Sequence, residues 1–299
     1  MESFDIVLCK PKLNEQMKKV TLPLFVALLS LSVGAQVQTP QPSPASKLEQ
    51  TVGLTQVTVE YSRPSMKGRT IFGNLGPYGE IWRTGANKNT TVSFSDDVVV
   101  EGKELKAGTY ALYTVPKEAV WTVIFYMDSD NWGTPEKWDD SKVAASVVVE
   151  SEQLPITVET LTITIDDLHN NGATLGILWE NTYVGVKFTV PTVAKATKSI
   201  EETMKGPDLK ANDYFAAGSY YFSEGVNLQQ AKEWVDKAVS MGDGNAYWMT
   251  RTQALLNYKV GDRKAAIKAA KKSLAAAQAA GNKDYVKMNT ESLKEWEGN

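Results

Sequence analysis

Between Arg63 and Lys88 the sequence places five basic residues, Arg63, Lys67, Arg69, Arg83 and Lys88, against a single acid, Glu80. The local charge is therefore +4 inside a chain whose formal net charge is −3. Glycines at 68, 73, 76, 79 and 85 allow tight turns and close backbone approach. Arginine forks beside exposed backbone amides suit carboxylate, sulfate or phosphate groups. Arg63, Lys67, Arg69, Glu80, Trp82, Arg83 and Asn87 are thus the candidate residues of an anion or polar-ligand site. A structural reading stands beside it: Arg63 or Arg83 pairs with Glu80, stacks on Trp82 or Tyr78, and pins a long loop to the fold, since ion-pair networks imitate sites.

A second candidate surface is Asp128 to Lys142, where Trp132 and Trp138 alternate with Asp128, Asp130, Asn131, Asp139 and Asp140. Aromatic faces beside carboxylates and amides can hold a sugar by stacking and hydrogen bonds. The same residues can instead plug the end of a β domain. Asp128, Asp130, Gly133 and Asp139 fall at positions 1, 3, 6 and 12 of a calcium-loop spacing, but Trp132 at position 5 and Asp in place of the bidentate Glu depart from it. We assign no metal there.

Signals for catalysis are thin. His169 is the only histidine and lies in Asp166-Asp167-Leu168-His169-Asn170-Asn171-Gly172, which reads as a turn. Acid pairs at Asp96-Asp97, Asp139-Asp140 and Asp166-Asp167 point to opposite faces if they sit in strands. Neither a phosphate-binding glycine loop nor a Gly-x-Ser-x-Gly elbow is present, and no motif implies a cofactor. Lys and Arg number 32 against 35 Asp and Glu, so the broadly basic field of a nucleic-acid binder is missing.

Two kinds of element must position these residues. From Val57 to Val190, β-branched and aromatic residues recur in short runs: Val57-Val59-Tyr61, Leu161-Ile163-Ile165, Leu175-Ile177-Trp179 and Val184 to Val190 alternate, Val120 to Tyr126 is apolar almost throughout and reads as a strand covered on both sides, and Val92 to Phe94, Val98 to Val100, Thr109 to Val115 and Val143 to Val149 complete the set. About nine strands without intervening helices predict an antiparallel, jelly-roll-like β-sandwich over residues 46–191. After Pro191 the period changes. Ala231, Trp234, Val235, Ala238 and Val239 follow helical spacing, and Ala266, Ala269, Ala270, Ser273 and Leu274 repeat it 35 residues later. With Ala217-Gly218, Tyr221, Tyr258 and Gly261-Asp262 this resembles the tetratricopeptide pattern, and a last helix is expected from Lys283 to Trp296. Residues 195–299 are accordingly read as a helical repeat-like region, too short to stand alone and expected to cap the β domain or meet a protein partner.

The run Ser62-Arg63-Pro64-Ser65-Met66-Lys67-Gly68-Arg69-Thr70-Ile71-Phe72-Gly73, with Pro77-Tyr78-Gly79-Glu80-Ile81-Trp82-Arg83-Thr84-Gly85-Ala86-Asn87, Ala107-Gly108-Thr109-Tyr110-Ala111-Leu112-Tyr113 and Asn131-Trp132-Gly133-Thr134-Pro135, resembles the bacterial domain of unknown function 2911 family. The resemblance covers roughly Ser46 to Pro191. It implies an exported β-rich domain followed by helices and brings no reaction, substrate or catalytic residue.

The address is read from the N-terminal region. Met17-Lys18-Lys19, the apolar run Val20 to Val33 and the small residues around Ala35 have the layout of a secretory signal peptide, too short for a spanning helix. We expect translation from Met17, with residues 1–16 a mis-assigned start, a signal over 17–35 cleaved after Ala35, and a Pro/Ser/Gln-rich spacer over 36–45. Removal of residues 1–35 takes the formal charge to −4 and removes Cys9, the only cysteine, so no lipid-bearing Cys follows the cleavage point. A periplasmic protein without a transmembrane segment is the expectation.

Together these features favour a non-catalytic exported module that binds a small anionic or glycan-like ligand, with helices for partner contact. A hydrolase of envelope carbohydrate and a protein-interaction scaffold are the rival readings.

Overall fold

The computed structural model describes residues 39–298. The chain divides into two compact units between Pro44 and Ala45, and all elements below belong to the second. The expected start at Met17, the signal segment 17–35, Cys9 and residues 36–38 of the spacer lie outside the described residues.

Nine strands come first: β1 (Ala45–Val52), β2 (Thr55–Ser62), β3 (Thr91–Phe94), β4 (Val98–Val100), β5 (Lys103–Leu105), β6 (Gly108–Val115), β7 (Val120–Tyr126), β8 (Val143–His169) and β9 (Gly172–Thr189). Every pairing is antiparallel, and the order is β1-β2-β3-β6-β7-β8-β9-β4-β5. Where the sequence predicts a sandwich of separate sheets, the hydrogen bonds run through one open sheet. The cause is β8, whose 27 residues pair with β7 up to Glu150 and with β9 from Ser151 onward. Register shifts between Gln153 and Thr162 bend it at the changeover. Two apolar runs that read as separate strands, Val143 to Val149 and Leu161 to Ile165, are thus one strand. The same holds for the two runs inside β9.

Both halves of the order line one core. Val57, Val59, Phe94, Trp121 and Phe125 share a buried cluster with Ile163, Leu175, Ile177 and Phe188, and the Phe94 and Phe188 rings meet edge to face at 5.5 Å. Strands β1 and β5 escape sequence reading because each carries few apolar residues. β1 has only Leu48 and Val52 and forms through its hairpin with β2, across Gly53 in the left-handed region at φ 57°.

Six helices follow: α1 (Thr192–Thr203), α2 (Ala211–Glu224), α3 (Leu228–Met241), α4 (Tyr247–Lys259), α5 (Arg263–Ala279) and α6 (Lys283–Glu297). The expected stripes are buried, with Ala231, Val235, Ala238, Ala266, Ala270 and Ser273 each fully enclosed. Three interhelical turns use one chemistry: a left-handed glycine at 225, 261 or 281, then Asn227, Asp262 or Asn282 capping the next helix through its side chain.

Helices and sheet are joined at polar contacts. Lys195 Nζ donates to both Asp96 oxygens at 2.7 and 2.8 Å and to Leu54 O at 3.0 Å. Glu224 of α2 accepts from Asn170 and Asn171 of the β8–β9 turn at 2.6 and 2.8 Å. Burial works to raise the Asp96 pKa, but hydrogen bonds from Lys195, Ser95 and Thr55 outweigh it and hold the carboxyl below the ordinary value of 3.8.

Two outcomes are expected. A Cβ at Gly53 would lie 1.9 Å from Thr192 Oγ1 and 2.1 Å from Asn170 O, whereas one at Gly102, also left-handed, meets nothing within 4 Å. Gly53→Ala should therefore cost about 2–4 kcal/mol in denaturant unfolding and Gly102→Ala only about 1 kcal/mol; equal losses would show that the junction is loosely packed. Because the Asp96 pKa is lowered on folding, its stabilisation is present above the unfolded value of 3.8 and is lost as pH falls through the folded value. The stability gap between wild type and Asp96→Ala, about 1–2 kcal/mol at neutral pH, should stay level from pH 7 to 5 and close below about pH 4.

Candidate functional site

The basic segment leaves β2 and is docked at once on the middle of β8. Ser65 forms a bridge with Thr160, Met66 N donates to Glu159 O at 2.8 Å, and Leu161 N donates to Pro64 O at 2.9 Å. Arg63 spends Nε on Leu161 O at 2.9 Å and Nη2 on Thr162 Oγ1 at 2.7 Å. Arg69 turns back on its own loop, to Met66 O and Ser65 O at 2.8 and 2.7 Å. Arg83 donates to Asn87 O at 2.8 Å. The guanidinium donors of all three arginines thus go to local carbonyls and a hydroxyl rather than to a common point.

The pairing with Glu80 is not formed. Glu80 is exposed, and Trp82 faces inward, stacked on Trp179 at 5.7 Å and edge-on to Phe72 and Trp121. Tyr78 packs over Gly73. Lys67 is exposed, and its backbone N–H donates to Glu159 Oε1 at 2.8 Å. Three non-glycine residues of the segment hold positive φ: Lys67 at 50°, Thr84 at 54° and Asn87 at 60°. Thr84 is the costly one, since a β-branched side chain is disfavoured there. It is fully buried and is held by Thr114 Oγ1 at 3.1 Å and by the Thr90 hydroxyl, which donates to Thr84 O at 2.8 Å.

The second surface folds against this segment. Asn89 N donates to Asn131 O at 3.0 Å, and Asn131 N donates to Asn89 Oδ1 at 2.8 Å. Asn89 Nδ2 also reaches Ser129 O at 3.2 Å, and Lys88 pairs with Asp130 at 2.7 Å. Arg83 lies over Gly133. Two stretches that sequence reading treats as separate surfaces therefore form one neighbourhood. Trp138 covers the outer face of the sheet at Tyr113 and Tyr126, with centroids 5.5 and 4.5 Å away. Burial pushes the Tyr113 phenol up to about 12, and its hydroxyl donates to Gly133 O at 3.1 Å. Trp132, by contrast, is 77% exposed.

The carboxylates of this stretch diverge. Asp128 pairs with Lys142, Asp130 with Lys88, and Asp139 caps the short turn at Ser141. The acid pairs separate likewise: Asp96 meets Lys195 while Asp97 meets Lys106. His169 Nδ1 accepts from Asn171 N at 3.2 Å within its turn.

Beside the Asn89–Asn131 clasp lies a hollow of about 620 Å³. Lys47, Glu60, Thr91 and Thr109 line it from the outer face of the sheet, and Lys88, Asn89, Ser129 and Asp130 from the two loops. The register places Lys47 opposite Glu60 and Glu60 opposite Thr91. Its charges are compensated: Lys47 lies 2.6 Å from Glu49 and 3.7 Å from Glu60, and Lys88 holds Asp130 below the ordinary carboxylate range. Arg63, Arg69 and Arg83 do not line it. Sequence reading reached Asp130 but not Lys47, Glu60, Thr91 or Ser129. Alternation marks their outward face, yet their convergence depends on strand register.

Residues 43–188, just under half of the chain, match the family described as Protein of unknown function (DUF2911). The match spans the β region and the motifs that resemble that family. No curated protein matches this sequence.

Asn89→Ala should cost about 1–3 kcal/mol by leaving Asn131 N and Ser129 O without partners. Hydrogen exchange should accelerate at the Asn131 amide while the β7 amides keep their protection. Unchanged exchange at Asn131 would show that the two loops hold together without the clasp.

Proposed function

We propose that this DUF2911 domain is a non-catalytic binding module of an exported protein, and that its hollow takes a small polyhydroxylated, glycan-like ligand. The carrying observation is the lining: hydroxyls and amides beside two ion pairs of balanced sign, in a hollow of about 620 Å³. That volume falls within the range of ligand sites. A sugar presents many neutral donors and acceptors and asks for such a lining, whereas an isolated phosphate asks for uncompensated cations.

The anionic alternative rests on the basic loop, whose arginines already serve local carbonyls. Binding is favoured over hydrolysis because the carboxylates of the hollow are engaged separately, Asp130 with Lys88 and Glu60 toward Lys47, rather than facing each other as an acid and base pair. Export is supported by the signal-like composition of residues 17–35. Among the described residues no helix is long and apolar enough to cross a membrane. We read the curled sheet as a jelly-roll-like sandwich left open between β1 and β5, and the helix pairs as tetratricopeptide-like.

The test is thermal unfolding and NMR titration of the full chain with neutral oligosaccharides, uronates, sulfate and phosphate. Neutral sugars should stabilise it, by about 2.7 kcal/mol at 100 times the dissociation constant. Thr91→Trp, which fills the hollow from β3, should weaken binding tenfold or more, and Arg83→Ala should not. Binding confined to anions and abolished by Arg83→Ala would move the site to the basic loop.

A further inference from the structure

Arg251 of α4 is half-buried and has no ion-pair partner among the described residues. Its one side-chain hydrogen bond runs from Nη1 to Asn289 Oδ1 at 3.3 Å, longer than a usual N–H···O bond. A guanidinium carries five N–H donors, so most of its fork is unused. Burial lowers its pKa from the ordinary arginine value, with Tyr285 and Glu291 acting weakly the other way. A partly desolvated cation that Glu291 influences without forming an ion pair with it is a cost to the fold.

The group is nevertheless held in place. Asn289 is fully buried, and its Nδ2 donates to Ser273 Oγ at 2.9 Å and Tyr285 O at 2.8 Å. The Ser273 hydroxyl donates in turn to Tyr247 O at 2.7 Å. Asn289 Oδ1 is thereby fixed as the acceptor that aims Arg251. Trp248 lies one turn before Arg251 on the same helix face and is 41% exposed, and Met288, one turn after Tyr285 on α6, is 37% exposed. Tyr247 packs edge-on against Trp248 and near Tyr285, at 5.1 and 4.8 Å, which steadies this rim.

We infer that Arg251 is a recognition residue for a carboxylate carried by an acidic protein segment, whose apolar side chains rest on Trp248 and Met288. Charge complementarity and fork geometry select the carboxylate. The flanking aromatic and thioether surface selects a segment with its own apolar side chains over a free small acid.

The test titrates the full chain with a synthetic dodecapeptide alternating Asp or Glu with Leu or Phe, with the same peptide carrying Asn and Gln instead, and with succinate. The acidic peptide should bind at least tenfold more tightly than its amide counterpart. Arg251→Gln should abolish that difference while melting within a few degrees of wild type, and Trp248→Ala should weaken the peptide several-fold without unfolding an exposed site. Succinate binding as tight as the peptide and indifferent to Trp248→Ala would overturn the protein segment in favour of a small acid. Absence of binding by either acid, or an acidic preference that survives Arg251→Gln, would overturn the assignment of Arg251.

Discussion

The handover of β8 from β7 to β9 is the constraint on which the β domain depends. A strand of 27 residues cannot stay flat, and its changeover lets the two halves of the order close on one core. The same bend presents Glu159, Thr160, Leu161 and Thr162 to the segment leaving β2, where they receive Met66, Ser65, Pro64 and Arg63. Continuity of the sheet and placement of the most distinctive sequence motif thus have one origin.

Docked in this way, the basic segment spends its chemistry on itself. A loop of this length carries many backbone carbonyls that the sheet cannot satisfy, and arginine is suited to serve several at once. Arg63, Arg69 and Arg83 do so at separate places, which distributes the +4 charge instead of concentrating it. The cost of Thr84 at positive φ, about 1–3 kcal/mol for such a residue, is offset by its buried hydroxyl network. That turn carries the chain to Lys88 and Asn89, which reach Asp130 and Asn131. Strain at Thr84 therefore supports the hollow indirectly, by fixing the loop that forms its wall.

Legibility in the sequence followed the range of the interaction. Alternation in β2, the near-continuous apolar run of β7 and the helical stripes of α3 and α5 are local, and their burial agrees with the pattern. The edge strand β1 has too few apolar residues to announce itself, and β8 looks like two strands because the stretch after its changeover is largely exposed and interrupted by Pro155. Charge density drew attention to Arg63 through Arg83, since composition reveals a cation but not the carbonyl that occupies it. Lys47, Glu60 and Thr91 are ordinary outward residues until register sets them side by side. Arg251 carried no sequence signal, being one basic residue in an unremarked helix.

The contrast between the two regions bears on what each can bind. In the hollow, each cation has an acid at hand, so a charged ligand would have to break an existing pair while a neutral one need only replace water. On α4 the balance is reversed: Arg251 has lost part of its hydration and gained one long hydrogen bond, so an incoming carboxylate restores what folding removed. The neutral recognition proposed for the sheet and the charged recognition proposed for the helices are thus two consequences of one rule. A site attracts the group its own fold has left uncompensated. The charged groups of the junction, Lys195 with Asp96 and Glu224 with Asn170 and Asn171, are paired within the fold, which suits them to join the two regions rather than to recruit a third.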